Sequence, residues 1–201
     1  MDLYDRITSR KVKYDLSILV LSLPGRLEKA TKLIKELSRQ AVKGSVQIVY
    51  LGDNKSLSVG EKRNLALTVS SGTYVAFIDD DDWVTPDYIE SLLEAIKTAP
   101  EVITFRVMKY RNGVEDKEQR FYLNVGVPYL SPDKSHYKMC PNHLCAWRRD
   151  LIKERYPDKN LAEDLNWSEA QRRHYKTIYE IDKVLYFYYY DTELSETHRR
   201  P

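Results

Sequence analysis

The chain has 201 residues, of which 42% are hydrophobic and 31% charged, and its net charge is only +2. This balance argues against a protein that holds nucleic acid mainly by bulk electrostatics. No apolar run approaches the ~18 residues of a transmembrane helix, and the N-terminal residues lack the apolar core of a signal peptide. We therefore expect a cytoplasmic protein with no membrane span and a single domain over residues 1–201.

The first predicted elements form a strand, a helix and a second strand. Residues 16–23 are almost continuously apolar, which is typical of a central strand that is covered on both faces. Pro24-Gly25 ends this strand, and residues 26–40 repeat apolar side chains at helical spacing. Residues 46–51 form the second strand, so the pattern predicts a parallel unit with a right-handed crossover.

A second helix and a third strand continue this alternation. Ser58 and Glu61 have the spacing of a capping box, which predicts a helix beginning there. An apolar strand over residues 74–78 follows, and then a helix that runs to about residue 97. The pattern predicts an α/β fold of the Rossmann-like kind, with a mostly parallel central sheet and helices on both faces.

Three groups of residues lie where these predicted strands end. Ligands of such sheets bind at the carboxyl ends of the strands, so we expect the three groups to converge on one crevice. They are Leu23 to Arg26, Asp53 with Asn54, and Asp79 to Asp82.

The second half has a different character. A strand over residues 102–111 is followed by the turn signal Asn112-Gly113 and by antiparallel strand or loop. Further predictions are a strand within residues 140–147, helices over 150–156 and 165–174, and a last strand over 179–190. Since no linker interrupts the chain, residues 15–100 and 101–201 are interpreted as two halves of one domain, with a smaller antiparallel region in the second half.

Four consecutive carboxylates, Asp79 to Asp82, follow the third strand directly. Adjacent acids repel one another, and burying one is costly unless it is paired or bound to a cation. Hard cations such as Mg²⁺ or Mn²⁺ prefer carboxylate oxygen, and the alternate acids Asp79 and Asp81 can share one ion. The other interpretation of this run is a solvated acidic turn.

Residues 56–67 and 70–83 together resemble the nucleotide-sugar half of family 2 glycosyltransferases, which have the GT-A fold. The resemblance lies in an Arg-Asn pair in a helix, here Arg63-Asn64, and in a following Gly-x-Tyr strand that ends in Asp-x-Asp-Asp. It covers residues 16–97. Several spaced elements agree in order, whereas an isolated Asp-x-Asp motif occurs often by chance.

The resemblance implies a nucleotide-sugar site in the first half. Asp53, with Asn54 beside it, would bind the nucleotide base, and Arg63 would lie near the base and diphosphate. Leu23, Pro24 and Arg26 would lie against the base or ribose.

The same resemblance implies a division of roles within the acidic run. Asp81 would coordinate the metal, and Asp79 would contact the ribose or a metal-bound water. Asp80 occupies the variable middle position of the motif, among the donor-binding residues. Asp82 would bind sugar hydroxyls, and Trp83 is a candidate for stacking on a sugar ring.

The second half resembles the family less closely. Glu163-Asp164 resembles the element that supplies the catalytic base of inverting members, and we assign Asp164, with Glu163 as the alternative. A charge cluster at a helix N-terminus is the other interpretation. His143 is a candidate contact to the acceptor, the diphosphate or the metal, or an ordinary structural histidine. His198 is a candidate metal ligand.

These expectations describe a metal-dependent inverting glycosyltransferase using Mn²⁺ or Mg²⁺. It would move a hexose from a nucleoside diphosphate sugar, UDP-linked by the resemblance, to a hydroxyl acceptor on a glycan, glycoprotein or other biomolecule. Three alternatives remain open at this point: a glycosyltransferase of modified DNA bases, a nucleotidyltransferase, and a non-catalytic sugar-nucleotide-binding module.

Overall fold

The computed structural model describes residues 14–42 and 44–191. Its first half alternates strands and helices, as the sequence predicts. In the described part of the chain, no helix combines the length and the apolar character needed to cross a membrane. The elements of the first half are β1 (Tyr14–Ser22), α1 (Leu27–Ala41), β2 (Val46–Gly52), α2 (Val59–Val69), β3 (Gly72–Asp79), β4 (Trp83–Val84) and α3 (Tyr88–Ile96).

The centre of the sheet is β1, which pairs in parallel with β2 on one side and with β3 on the other. Leu19 lies opposite Val49 and Phe77 in this register. Residues 16–22 are all buried, and successive strand residues face opposite sides of the sheet, so both faces are covered. The α/β fold with a parallel core is confirmed, and it places the carboxyl ends of β1, β2 and β3 at one edge.

The second half extends the same sheet. β5 and β6 form a hairpin whose turn, Asn112-Gly113, has the positive φ values of 50° and 77° that the sequence signal predicts. β9 pairs antiparallel with both β3 and β5, and thereby joins the two halves. The elements are β5 (Val102–Arg111), β6 (Val114–Phe121), β7 (Tyr129–Leu130), β8 (His136–Met139), β9 (Ala146–Arg148), α4 (Glu163–Gln171) and β10 (Ile178–Tyr190).

The last strand, β10, pairs with strands of both halves. β10 runs parallel to β5 along its whole length and pairs antiparallel with β4, directly after the acidic run. Tyr186 lies opposite Val84, and Phe187 lies opposite Trp83. The C-terminal strand is therefore in contact with the segment that carries the predicted site.

The predicted helix over residues 150–156 is wrong. Only a single 3-10 turn, Arg149–Leu151, forms there. The Gln171 side chain accepts hydrogen bonds from the backbone N–H groups of Lys153 and Glu154, at 3.1 and 3.2 Å. A side chain from α4 thus satisfies these two backbone groups without a helix.

Candidate active site

A cleft of about 1100 Å³ opens at the carboxyl ends of β1 and β3. The turn after β3, the loop after β1, the buried side of α2 and the N-terminus of α4 all contribute to its lining. The residues that the sequence predicts for the site and that line the cleft are Leu23, Pro24, Arg26, Arg63, Asp79, Asp80, Asp81, Asp82, Trp83, His143, Glu163 and Asp164.

The carboxylate of Asp80 holds the loop after β1 in place. It accepts hydrogen bonds from the Ser22 hydroxyl at 2.7 Å, the Leu23 N–H at 3.1 Å and the Arg26 guanidinium at 3.1 Å. Asp80 is only 2% exposed. The middle acid of the run therefore holds two strand ends together, and its oxygens are already occupied.

Asp82 is bound to β10 in a similar way. Its carboxylate accepts hydrogen bonds from the Tyr186 hydroxyl at 2.6 Å and from the Tyr189 N–H at 2.8 Å. Burial, followed by the nearby charges of Asp81 and Asp79, raises the pKa of Asp82 well above its ordinary value. The two oxygens predicted to bind sugar hydroxyls are engaged by the last strand.

Within the acidic run, Asp79 and Asp81 are the two more exposed acids, with side chains 28% and 27% exposed. Arg26 lies 2.8 Å from Asp81. Burial raises the pKa of Asp81 to about 6; Arg26 opposes this rise, and the charges of Asp79 and Asp80 add to it. A bound cation would stabilise the negative charge of Asp81, so this carboxylate is well suited to be a metal ligand.

The carboxylate of Asp79 is held by a buried arginine of α2. Arg63 lies 3.2 Å from Asp79 and 3.1 Å from Glu163, and its guanidinium stacks 5.1 Å above the ring of Phe77. Burial disfavours the charge of Asp79, but Arg63 and then His143 outweigh it and hold its pKa below the ordinary value. Arg63 thus joins the acidic run to the first residue of α4.

His143 bridges the acidic run and the predicted base. Its Nδ1 lies 3.1 Å from Asp164 and its Nε2 lies 3.7 Å from Asp79. Burial and Arg63 disfavour the imidazolium, but the two carboxylates outweigh both and raise the pKa of His143 to about 9. Burial likewise opposes the charge of Asp164, yet His143 and Arg63 lower its pKa to about 2. At neutral pH the pair is an imidazolium beside a carboxylate.

Asp53 and Asn54 do not lie among the described residues that line the cleft. Asp53 accepts hydrogen bonds from Lys62 Nζ at 2.8 Å and from the Leu57 N–H at 2.8 Å, and Lys62 foremost lowers its pKa to about 2. Asn54 is exposed. His198 lies outside the described residues.

Lys62 is a site residue that the sequence reasoning missed. It is 1% exposed, lines the cleft and donates to both Asp53 and the Ser22 carbonyl, at 2.8 and 3.4 Å. The structure shows its burial, since the buried positions of α2 are Gly60, Lys62, Arg63 and Ala66. A helix that turns two cations inward indicates a buried polar site on its inner side.

Among the described residues, 14–42 and 44–191, no three His, Cys, Asp or Glu side chains are grouped as a metal site. Within the acidic run, the carboxylates of Asp79 and Asp81 remain as donors facing the cleft. Mg²⁺ is commonly held by one or two carboxylates together with substrate phosphates, so this donor set fits such an ion.

Comparison with known proteins identifies a family. The model of "Glycosyl transferase family 2" matches residues 29–156. The chain is 32% identical over 79 residues to the putative glycosyltransferase EpsH of Bacillus subtilis (strain 168), a match covering 39% of this chain and 22% of that protein. It is 30% identical over 92 residues to the glycosyltransferase GlyA of Streptococcus pneumoniae serotype 4 (strain ATCC BAA-334 / TIGR4), covering 46% and 12%. The matches thus span less than a quarter of either curated relative.

Solved structures share the fold. Residues 1–349 of S. aureus TarS superpose with a TM-score of 0.58 at 16% identity, covering 87% of this chain and 60% of that chain. The same fragment in complex with UDP-GlcNAc superposes with a TM-score of 0.58 at 16% identity, covering 88% and 58%.

Proposed function

The chain belongs to glycosyl transferase family 2, and we propose that it transfers a hexose from a UDP-sugar to a hydroxyl acceptor in a metal-dependent, inverting reaction. One observation carries this proposal. The cleft-facing acids Asp79 and Asp81, the buried Arg63 and the predicted base Asp164 converge on one cleft at the ligand-binding edge of a parallel sheet. The solved complexes of S. aureus TarS with UDP and UDP-GlcNAc support the choice of nucleotide.

The size of the cleft suits this role. Pockets for drug-sized ligands measure about 300–1,000 Å³, and the cleft is about 1100 Å³. It can therefore hold a nucleotide sugar together with part of an acceptor.

Asp81, with Asp79 beside it, would hold Mn²⁺ or Mg²⁺. When bound, such an ion neutralises the charge that develops on the departing diphosphate. Arg26 now lies 2.8 Å from Asp81 and supplies positive charge at that carboxylate. Arg63, fixed between Asp79 and Glu163, orients Asp79 toward the cleft.

Of the two candidate bases, Asp164 fits the chemistry better. Glu163 is 5% exposed and ion-paired with Arg63, whereas the side chain of Asp164 is 32% exposed and lines the cleft. The acceptor oxygen attacks the anomeric carbon as the bond from that carbon to the diphosphate oxygen breaks, and the acceptor proton passes to Asp164. A single displacement of this kind inverts the anomeric centre.

Thermal shifts test the donor site. We expect UDP with Mn²⁺ to raise the melting temperature of the wild type, because a ligand of the folded state adds RT ln(1 + [L]/Kd), about 2.7 kcal/mol at a hundredfold excess over Kd. GDP, dTDP and CMP provide the comparison. Asp81→Ala should lose the shift, whereas Asp182→Ala, a control at a side chain 85% exposed, should keep it. The absence of a shift with every nucleotide would contradict the proposal.

Turnover tests the base. Asp164→Asn should keep the UDP-dependent shift and lose roughly 10²–10⁴-fold in kcat, the usual contribution of general-base catalysis. Unchanged turnover in this variant would assign the proton transfer to another group. Anomer-resolved NMR of the product checks the inversion.

A further inference from the structure

A second wall of the cleft, built by β5, β6 and β10, takes no part in the donor chemistry. Lys109, Gln119, Tyr188 and Tyr190 line it. Lys109 lies opposite Tyr188 in the parallel register of β5 and β10. Tyr188 faces the acids: burial, then Asp82, Asp79, Asp164 and Asp81, raises the pKa of its hydroxyl. The wall therefore runs from the predicted base to Lys109.

Lys109 is a half-buried cation between aromatic rings. Its Nζ lies 5.3 Å from the ring centre of Tyr137 and 5.5 Å from that of Tyr190. Arg111 lies 5.9 Å from the same Tyr190 ring. In the described part of the chain, neither cation has a carboxylate within ion-pair distance. Burial and then Arg111 lower the pKa of Lys109, and the weaker attraction of Asp116 does not cancel them.

The side chain of Gln119 lies on the same wall. Gln119 is 7% exposed and lines the cleft, and its side chain makes no hydrogen bond to any described residue. An amide in this position can donate a hydrogen bond to a polar group of a ligand bound in the cleft. Lys109, the exposed Arg111 beside it and the amide of Gln119 are together the kind of donor group that binds an oxyanion.

We propose that Lys109, Arg111 and Gln119 form an acceptor subsite that binds an anionic group, a phosphate or a carboxylate, on the acceptor sugar. This subsite rests on the proposed glycosyltransferase function, and it adds that the acceptor is an anionic sugar. With its anion at Lys109, an acceptor sugar lies along Tyr188 and extends its hydroxyl toward Asp164. Aromatic faces flanking a cation suit a charged sugar, because the ring packs on tyrosine while its anion meets the lysine.

Three monosaccharides that differ in one group test the subsite: glucose 6-phosphate, glucuronate and glucose. Their binding is measured by NMR titration at constant ionic strength, with no nucleotide present. We expect one anionic sugar to bind about tenfold more tightly than glucose, the gain that one charge-assisted contact gives. Preference for glucose 6-phosphate would identify a phosphate acceptor, and preference for glucuronate a carboxylate acceptor.

Lys109→Met removes the charge and keeps the length of the side chain. We expect this variant to lose the tenfold preference. Lys138→Met is the matched control, since Lys138 Nζ lies 5.0 Å over the Tyr122 ring but is not among the residues that line the cleft. Melting temperatures verify that both variants fold.

The outcomes separate the two proposals. Equal binding of the three sugars, binding of none of them, or loss of the preference in Lys138→Met as well as in Lys109→Met would overturn the subsite. None of these results depends on UDP, whose binding to the wild type decides the donor site independently.

Discussion

At the scale of single residues, the charge on His143 makes stability depend on pH. Its pKa is about 9 in the folded chain against 6.5 ordinarily, because Asp164 and Asp79 outweigh burial and Arg63. The group therefore stabilises the fold fully below pH 6.5, and this contribution disappears as the pH rises through 9. The integrated loss is up to about 3 kcal/mol.

The comparison of wild type with His143→Gln tests this linkage. Between pH 6.5 and 9, we expect the free energy of unfolding of the wild type, measured with urea, to fall relative to that of the variant. Parallel pH profiles would show that the imidazole is neutral in the folded protein and that the pair with Asp164 is not ionic.

The sequence places these residues in one cleft but does not say which way each one points. Asp79 to Asp82 are adjacent, yet Asp80 is bound by Ser22 and Asp82 by Tyr186, partners 58 and 104 positions away. Such partners cannot be identified from local pattern. Asp53 shows the same limit: its place after β2 is predicted, but its bond to Lys62 is not.

At the scale of elements, the sequence predicts structure that depends on neighbouring residues. It does not predict structure that depends on residues far away in the chain. The capping box is confirmed, with Ser58 accepting from the Glu61 N–H at 3.1 Å and Glu61 accepting from the Ser58 N–H at 2.9 Å. Both partners lie within four residues, so the sequence contains the whole interaction. The failed helix over residues 150–156 depends on Gln171, which no local window includes.

The attachment of β10 to the acidic run predicts a specific loss of stability. The Tyr186 hydroxyl donates to Asp82 at 2.6 Å and accepts from the Asp79 N–H at 3.3 Å. Tyr186→Phe leaves one oxygen of the buried Asp82 carboxylate without its donor, so we expect a loss of about 1–3 kcal/mol in the free energy of unfolding. Tyr179→Phe, on the same strand at a side chain 42% exposed, is the control and should change little. Equal urea midpoints for both variants would show that the hydroxyl does not secure the strand.

At the scale of the whole molecule, α2 is joined to the segment that leads into α4. Asn64 donates to the Tyr156 carbonyl at 2.8 Å and accepts from the Tyr156 N–H at 3.0 Å. The Gly60 N–H donates to the Lys159 carbonyl at 3.1 Å. The first half of the chain and the segment before Asp164 are thus hydrogen-bonded to each other, and one sheet runs through both halves.

Gly60 is where this contact is tightest, because a Cβ built there would lie 1.8 Å from the Pro157 carbonyl oxygen. Backbone must move to admit it, so we expect Gly60→Ala to cost about 1–3 kcal/mol. At Gly126 a Cβ would meet only the flexible end of Arg172, at 3.3 Å, so Gly126→Ala is the matched control.

The variant Gly60→Ala also tests whether the two halves of the chain unfold as a single domain. Trp147 and Trp167 lie in the second half, so tryptophan fluorescence reports largely on that half, while far-ultraviolet circular dichroism reports on the whole chain. If the halves unfold as one unit, Gly60→Ala shifts both urea transitions together by the same amount. A shift in the circular dichroism transition alone would mean that the halves unfold separately. Asp164 would then be positioned independently of the first half.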